Sequence, residues 1–489
     1  MSFFGRKKFI LYLFFVLLSI DWSYSFLQYY HQPIQGDLIP VILPEPQFSQ
    51  VLESPFGWQA IQENIQYGGV NRYFVHQALY SSFRNVPLWL QNFLAPIESL
   101  YATAAIFKLL FHIALILLLT QYIRPNDRLW SSTFLGTALL LSPFFQANGY
   151  SHVIGIVDRS VVYAFSYALP IMLLLLYFLP FYKYHFQERR TTIMRHPIQH
   201  LLWFALMIWL SFSGPLVTPL VLLICPSILL AYWWNGYQTE KNWKTALQKI
   251  PRSLIAHFSV FILLNLYAFY LGSYNAENDA SLSLAERYAR LPVGFYKLFT
   301  RKLALPLLIL LLIVNFSIVR RKVNHYWQTK AGKIALCCLI FILSYLLLLP
   351  LGGYRIYRPY VLRYDTMIPV TLVVLFLSAQ TFHLILQHLK QLPKSNQFHP
   401  RNLYLAFIAA VLFIFTIADS PKWDKNECEK AALYQIRHTD KSIKIVELKE
   451  PCPVLEWKTF GKAEESRYIV EMLKHWKVID QDLRFRHVE

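Results

Sequence analysis

The sequence predicts an all-α polytopic membrane protein of about eleven transmembrane helices, with a long first extracytoplasmic loop and a small α/β C-terminal extracytoplasmic domain. Of its 489 residues, 55% are hydrophobic and only 15% are charged, whereas soluble domains carry about 25% charged residues. Apolar stretches long enough to cross a bilayer recur along most of the chain. The basic residues of this +19 chain stand mainly between those stretches, which sets membrane orientation and argues against nucleic acid as a partner.

The first apolar stretch, FILYLFFVLLSI, follows three basic residues and ends at Asp21. Because no small-residue cleavage site follows it cleanly, we expect residues 1–20 to be an uncleaved signal anchor. Residues 21–100 then form the first extracytoplasmic loop, 101–419 the multi-span bundle and 420–489 an extracytoplasmic tail. The remaining spans are expected at 101–123, 130–147, 160–182, 200–214, 217–234, 254–272, 303–319, 333–350, 366–386 and 402–419.

One pair of expected spans, 200–214 and 217–234, is short and is separated by the helix-breaking sequence SGPLVTP. These two segments either cross the bilayer twice or form a re-entrant hairpin. Both alternatives leave the orientation of the other spans unchanged.

The distribution of lysine and arginine predicts the orientation. The alternate segments that begin with the N-terminus hold 21 of these residues, and the opposite short segments hold 9. The excess places the N-terminus in the cytoplasm of a multi-pass protein, which we expect in the plasma (bacterial inner) membrane. The first loop contains no lysine, and its only arginines are Arg72 and Arg84. Such a low content of basic residues is typical of a translocated segment.

The two extracytoplasmic regions have internal patterns of their own. In the first loop, VNRYFVHQALYSSF and VPLWLQNFLAPIESL indicate amphipathic helices that lie along the membrane interface. In the tail, CEKAALYQIRH and AEESRYIVEMLKHWKV indicate helices, and SIKIVELKE indicates a strand. Cys428 and Cys452 are the only tail cysteines, and in an oxidising compartment we expect them to form a disulfide.

Three arginines and four tyrosines occupy GGYRIYRPYVLRYDT, residues 352–366, which we name the arginine–tyrosine stretch. Guanidinium groups bind phosphate through two parallel hydrogen bonds, and tyrosine hydroxyls add donors. The alternative is that each arginine pairs with a local acid, as Arg363 could with Asp365, or contacts lipid headgroups. The candidate phosphate-binding residues are Tyr354, Arg355, Tyr357, Arg358 and Arg363, together with Arg159.

Lys108 and His112 stand four residues apart on one face of the second span. An ionisable side chain inside the bilayer usually faces a cavity or a partner, so we count both among the candidate substrate-binding residues. Alternatively, the Lys108 side chain extends to the outer surface. If it pairs with an acid, the expected partner is Asp21 at the outer end of the first span.

The layout as a whole resembles the GT-C superfamily of polytopic glycosyltransferases, which use polyprenyl-phosphate-linked sugars. The shared features are the cytoplasmic N-terminus, the long first outer loop with an acid soon after the first span, about ten further spans and the outer C-terminal domain. The resemblance implies that an acid of the first loop acts as catalytic base or orients the acceptor. Asp37 matches that acid by position and Glu45 is the reserve. It also implies that outer basic residues hold the carrier phosphate, to which Arg355 and Arg358 correspond in kind.

Three functions therefore stand open: transfer of a sugar or related group from a polyprenyl-phosphate carrier, a structural or assembly role in a cell-envelope machine, and transport or lipid flipping. The expected partners are membrane lipid and a lipid-linked donor, while the sequence names no protein partner. No motif indicates a cofactor or a metal site. The first loop has single acids where many members of the family have paired ones, and a divalent metal ion stays open as an alternative.

Overall fold

The computed structural model describes the chain except for residues 1–2, 35, 45, 149–155, 187–195, 279–281, 302, 356–359, 392–399 and 489. Helices dominate it, and two short strands lie near the C-terminus. The helices are α1 (Phe3–Tyr30), α2 (Leu38–Ile42), α3 (Pro46–Glu53), α4 (Trp58–Gln62), α5 (Tyr73–Leu90), α6 (Pro96–Ile123), α7 (Ser132–Leu141), α8 (Val161–Tyr163), α9 (Leu169–Phe186), α10 (Pro197–Ser211), α11 (Val217–Glu240), α12 (Trp243–Gln248), α13 (Arg252–Leu271), α14 (Leu284–Ala289), α15 (Leu291–Arg301), α16 (Ala304–Lys322), α17 (Lys330–Leu348), α18 (Ile368–Lys390), α19 (Pro400–Ala418), α20 (Glu427–His438) and α21 (Arg467–His475); the strands are β1 (Ile445–Leu448) and β2 (Arg484–His487).

Within the described residues, nine helices are long and apolar enough to cross a membrane: α1, α6, α8 with α9, α11, α13, α16, α17, α18 and α19. Two shorter apolar helices, α7 and α10, add to them. Each of the eleven predicted stretches overlaps one of these helices, so the multi-pass helical architecture is confirmed. The centre of the bundle is formed by α6, α9 and α18, whose faces are mostly buried, while α1 and α17 lie at its edge.

Polar side chains join helices inside the bundle. Asn315 of α16 donates from Nδ2 to the backbone oxygen of Ser378 and to the hydroxyl of Thr381, both at 3.1 Å. The hydroxyl of Tyr404 donates to Asn315 Oδ1 at 2.9 Å. Because hydrocarbon offers no competing hydrogen bonds, such contacts fix the relative register of three helices, α16, α18 and α19.

Contacts between loops place several segments at one end of the bundle, which we name the loop face. The backbone N–H of Gly214, in the turn between α10 and α11, donates to the oxygen of Asn71 at 2.9 Å. The N–H of Ala276, after α13, donates to the oxygen of Tyr67 at 3.2 Å. The arginine–tyrosine stretch joins the same end through the ion pair of Arg355 with Glu277. Trp457 of the tail donates to Asp37 of the first loop, so the first loop, these turns and the tail share one side.

The first helix differs from its predicted length. It continues to Tyr30 and contains Asp21 in its interior, where we expected the first span to end. The Asp21 carboxylate accepts a hydrogen bond from the Ser142 hydroxyl, so its charge does not require the helix to leave the bundle there. The residues that follow, WSYSFLQYY, include no proline or glycine that would break the helix.

The predicted interfacial helices are also rearranged. The first corresponds to α5, which extends to Leu90. The second is wrong as a separate helix, because Pro96 occupies the first turn of α6 and residues 91–95 form a turn. Proline is favoured at a helix N-terminus, where its missing N–H would have no partner in any case.

The tail contains the two predicted helices, as α20 and as α21 with its preceding turn, and the predicted strand, as β1. It also contains β2, which the sequence did not predict because RFRH is short and charged. The strands are parallel, with Val446 opposite Phe485, and both side chains are buried against the helices.

The predicted disulfide between Cys428 and Cys452 is present and closes a loop with a sequence separation of 24. Because a cross-link of this length restricts the unfolded chain, replacing both cysteines by serine should lower the free energy of unfolding of the tail by about 3 kcal/mol. Thermal unfolding followed by tail proteolysis measures this. Cys337→Ser, which removes an exposed free thiol, serves as the control. Equal melting temperatures for the variant that lacks both tail cysteines and for Cys337→Ser would contradict the prediction.

Candidate functional site

Asp37 stands just before α2, where the first loop meets the tail. Its Oδ1 accepts a hydrogen bond from the indole N–H of Trp457 at 2.7 Å. The preceding Gly36 allows this contact, because a Cβ there would lie 2.5 Å from the backbone nitrogen of Trp457. The tail thus lies directly on the candidate base. The reserve acid, Glu45, lies outside the described residues.

Lys108 is buried and extends toward the loop face. Its Nζ donates to Gln32 Oε1 at 2.8 Å and to the backbone oxygen of Arg159 at 3.0 Å. The ammonium also lies 5.2 Å from the ring centre of Tyr29. The expected pairing with Asp21 is wrong, since that carboxylate binds Ser142 while Lys108 reaches the segments that follow α1 and precede α8. The length of the lysine side chain explains this pairing, because its stem carries the ammonium group well away from the backbone of α6.

His112 lies one turn further along α6 and is fully buried. Its Nδ1 forms a hydrogen bond with the Tyr29 hydroxyl at 3.1 Å. Its ring lies 5.4 Å from that of Phe145. The structure therefore places His112 beneath Lys108 in the packing between α1 and α6.

The start of the tail approaches the same place. Lys425 Nζ donates to Asn148 Oδ1 at 2.6 Å, and Gln32 Nε2 donates to the oxygen of Ala147 at 2.9 Å. Asp419, at the end of α19, accepts from the N–H of Ala147 at 3.1 Å. Three segments distant in sequence thus meet here: the residues after α1, the residues after α7 and the first residues of the tail.

We name Lys108, Asp158, Arg159, Lys422 and Lys425 the junction cluster. Burial, Arg159 and Lys422 lower the pKa of Lys425 to about 8, against the opposing effect of nearby acids. Burial raises the pKa of Asp158, as does the carboxylate of Asp365, while Arg159 and Lys108 lower it. Lys108 and Arg159 thus act on the largely buried Asp158. Arg159 and Lys422 act on Lys425, whose acidic neighbours are Asp419 and Asp424. Ammonium and guanidinium groups gathered in this way can bind an anion.

The arginine–tyrosine stretch is divided between two surroundings. Arg363 Nη2 lies 2.8 Å from Asp365 Oδ2, as the alternative of local pairing predicts, and Asp365 in turn influences Asp158 of the junction cluster. Arg355 Nη2 lies 2.5 Å from Glu277 Oε2, and Arg72 Nη2 lies 3.9 Å from the same oxygen. Tyr357 and Arg358 lie outside the described residues.

Arg290, between α14 and α15, and Lys297 of α15 bind two tyrosines of this stretch. Arg290 Nη1 donates to the Tyr354 hydroxyl at 3.0 Å and its guanidinium lies 5.0 Å from the ring centre. Lys297 Nζ lies 3.8 Å from the ring centre of Tyr360 and donates to its hydroxyl. Arg290 thus contacts both the hydroxyl and the ring of Tyr354.

Sequence reasoning missed two tail residues as partners: Trp457, which binds Asp37 of the first loop, and Lys425, which binds Asn148 after α7. No local pattern marks either residue, because each acts through a contact between distant segments. Arg72 and Glu277 were visible as charged residues of outer segments, but their convergence on Arg355 depends on the fold.

Among the residues that the structure describes, no group of three or more histidine, cysteine or acidic side chains is arranged to hold a metal ion. A comparison with protein-family models finds no match, and neither does a comparison with curated proteins. A functional assignment therefore rests on the geometry of the chain itself.

Proposed function

We propose that the protein is an integral membrane glycosyltransferase-like enzyme that transfers a sugar, or a related group, from a polyprenyl-phosphate carrier at the loop face. The observation that carries the proposal is the hydrogen bond that ties the segment just before Asp37 to the junction cluster. Gln32 binds Lys108 of the junction cluster, and Asp37 follows five residues later. Five residues span at most about 18 Å even when fully extended, so a lipid-linked sugar can reach both groups.

The proposed chemistry assigns one role to each part. Asp37 takes the proton of an acceptor hydroxyl, whose oxygen forms a bond to the anomeric carbon of the donor. The bond between that carbon and the phosphate oxygen breaks, and the phosphate leaves with the electron pair. Arg159 and Lys425 stabilise the charge that develops on this leaving group.

We further propose that the loop face is extracytoplasmic and that the N-terminus is cytoplasmic, in the bacterial inner membrane. The excess of lysine and arginine in the segments of the opposite side supports this orientation. The disulfide between Cys428 and Cys452 also supports it, because such bonds persist in oxidising compartments.

The test of this function is release of polyprenyl phosphate by the protein in proteoliposomes, using polyprenyl-monophosphate hexoses as donors. Lys425→Gln removes one positive charge of the junction cluster and should reduce turnover about tenfold or more. Lys441→Gln is the matched control, because Lys441 forms an exposed ion pair with Asp480 elsewhere in the tail. Absence of release, or equal turnover in the two variants, would contradict the proposal.

A role in assembly of an envelope machine is the second candidate, and one observation favours it. At the turn between α5 and α6, Trp89 and Phe93 contact each other and are 62% and 75% exposed. Exposed aromatic pairs are typical of protein contact sites. A stoichiometric partner that copurifies with the wild type, is lost from a Trp89→Ala variant and leaves no lipid-phosphate turnover would favour this role.

A further inference from the structure

The short helix α12 lies at the end of the bundle opposite the loop face. The helices on either side of it, α11 and α13, both reach the loop face at their other ends. There Asn71 binds Gly214, in the turn before α11, and the backbone oxygen of Ala268, near the end of α13. Because α11 has 24 residues, it measures about 36 Å and is long enough to cross the hydrocarbon of a bilayer. The far end of α11, where α12 follows, therefore lies at the other membrane surface.

The chain reverses sharply between α11 and α12. Lys241 ends α11 in the left-handed conformation, with a φ of 53°. The side chain of Asn242 then accepts a hydrogen bond from the N–H of Lys244 at 2.9 Å. Ala246 of α12 lies against Gly236, where an added Cβ would stand 3.0 Å from the Ala246 oxygen. The helix α12 is thus packed beside the last turns of α11 and does not extend into water.

The helix α12 has a buried side and an exposed apolar side. Ala246 is fully buried, and Ile250, which follows the helix, is buried as well. Trp243 and Leu247 are 57% and 43% exposed. Residues four apart lie on the same face of a helix, so this indole and this leucine form one exposed surface. Such a surface is typical of a helix that lies in the interface between water and lipid.

The aromatic residues of α11 indicate the depth of α12 in the membrane. Trp234 and Tyr237 stand on either side of Gly236, the residue on which α12 packs, and their rings lie 6.1 Å apart. Trp and Tyr concentrate where headgroups meet hydrocarbon. Trp234 and Leu230, one turn deeper on the same face, are 52% and 61% exposed, so this face of α11 is open to lipid. The packing on Gly236 therefore places α12 at the level of the headgroups.

Positive charge surrounds the exposed surface of α12. Residues 235–253 contain four basic residues and one acid, which gives a net charge of +3. The acid, Glu240, forms an ion pair with Lys249. Lys244 Nζ lies 5.4 Å from the ring centre of Trp243, so an ammonium group stands beside the indole. The surface thus joins apolar side chains to cations, the combination that anionic lipid attracts.

We propose that α12 and the residues flanking it bind the anionic headgroups of the membrane surface opposite the loop face. Trp243 and Leu247 insert between the lipids, while Lys241 and Lys244 pair with headgroup phosphates. Lys241 Nζ donates to the neutral amide oxygen of Gln238 at 3.2 Å, which holds its charge at this surface. In the orientation proposed above this is the cytoplasmic leaflet, whose negative potential attracts basic segments. The surface does not depend on sugar transfer, since it uses no residue of the loop face.

The decisive measurement is hydrogen–deuterium exchange of the backbone amides of residues 243–250 in nanodiscs that contain the full chain. Exchange in the wild type should slow about fivefold or more when phosphatidylglycerol replaces phosphatidylcholine, because each basic residue near an anionic surface contributes about a factor of five. The double variant Lys241→Gln/Lys244→Gln should lose most of this slowing. Lys441→Gln/Lys474→Gln, which removes two tail lysines that form ion pairs, is the matched control and should behave as the wild type does.

A second variant separates insertion from charge. Trp243→Ser/Leu247→Ser removes the apolar surface and should speed exchange of the same amides in both lipids. The amides of α18, at the centre of the bundle, report whether each variant keeps its fold. In the wild type, about 1 M salt should remove the difference between the lipids, since it shortens the screening length to about 3 Å. Equal exchange of the wild type in both lipids, or undiminished slowing in Lys241→Gln/Lys244→Gln, would overturn the proposal and leave the surface to a protein partner.

Discussion

Replacing Glu429 by alanine should detach the tail from the rest of the protein. Glu429 is buried, and its carboxylate accepts from the N–H of Ile34 at 2.9 Å, the N–H of Leu455 at 3.0 Å and the hydroxyl of Tyr101 at 2.8 Å. These donors belong to the first loop, the tail and α6. Because alanine leaves three buried donors without an acceptor, we expect a loss of roughly 3–5 kcal/mol.

The loss is measured by thermal unfolding in detergent, combined with limited proteolysis of the tail. Glu427→Ala is the matched control, since Glu427 is an exposed acid in the first turn of the same helix. Removing a charge there should cost at most about 1 kcal/mol. If both variants unfold at the same temperature, the buried carboxylate does not hold the tail.

The same residue gives the interface a pH dependence. Burial raises the pKa of Glu429 to about 7, against the lowering effect of its hydrogen bonds. In the unfolded chain this carboxyl titrates near its ordinary value of about 4.3. Between these two pKa values the folded protein holds a proton that the unfolded chain has released. The contribution of this proton to folding stability is therefore fully present below the unfolded pKa and is lost as the pH rises through about 7.

A comparison with Glu429→Gln isolates this contribution, because the amide does not titrate. The stability of the wild type relative to this variant should be greater at pH 5 than at pH 8. A difference that is constant between these two values, or that increases with pH, would contradict the assignment.

Replacing Asp37 by asparagine should abolish most of the proposed transfer while leaving the protein folded. A general base contributes typically about 10²–10⁴-fold to a reaction rate, and the amide cannot take the acceptor proton. The indole of Trp457 can still donate to the amide oxygen, so the contact between first loop and tail persists. The measurement is release of polyprenyl phosphate in proteoliposomes, with the melting temperature determined in parallel.

Two variants separate catalysis from positioning. Trp457→Phe keeps the carboxylate and removes the N–H that orients it, so turnover should fall by far less than in Asp37→Asn. Glu53→Gln removes an exposed acid of the same loop and should leave turnover unchanged. Full activity of Asp37→Asn alongside an active wild type would show that another group is the base.

The architecture of the bundle follows directly from the sequence. A bilayer requires about 20 consecutive apolar residues per helix, and this requirement is local, so each predicted stretch overlaps a helix. The disulfide was predictable for a similar reason, because only two cysteines occur in the tail. Arg363 and Asp365 lie two residues apart and could find each other without help from the fold.

Partners that lie far apart in sequence were decided by the tertiary structure alone. Trp457 reaches Asp37 across a sequence separation of 420 residues, and Arg355 pairs with the distant Glu277. Lys108 binds Gln32 rather than Asp21. Hydropathy fixes which segments enter the bilayer, but it carries no information on which polar groups meet at their ends. That choice depends on how the helices pack, because packing sets the distances between charges.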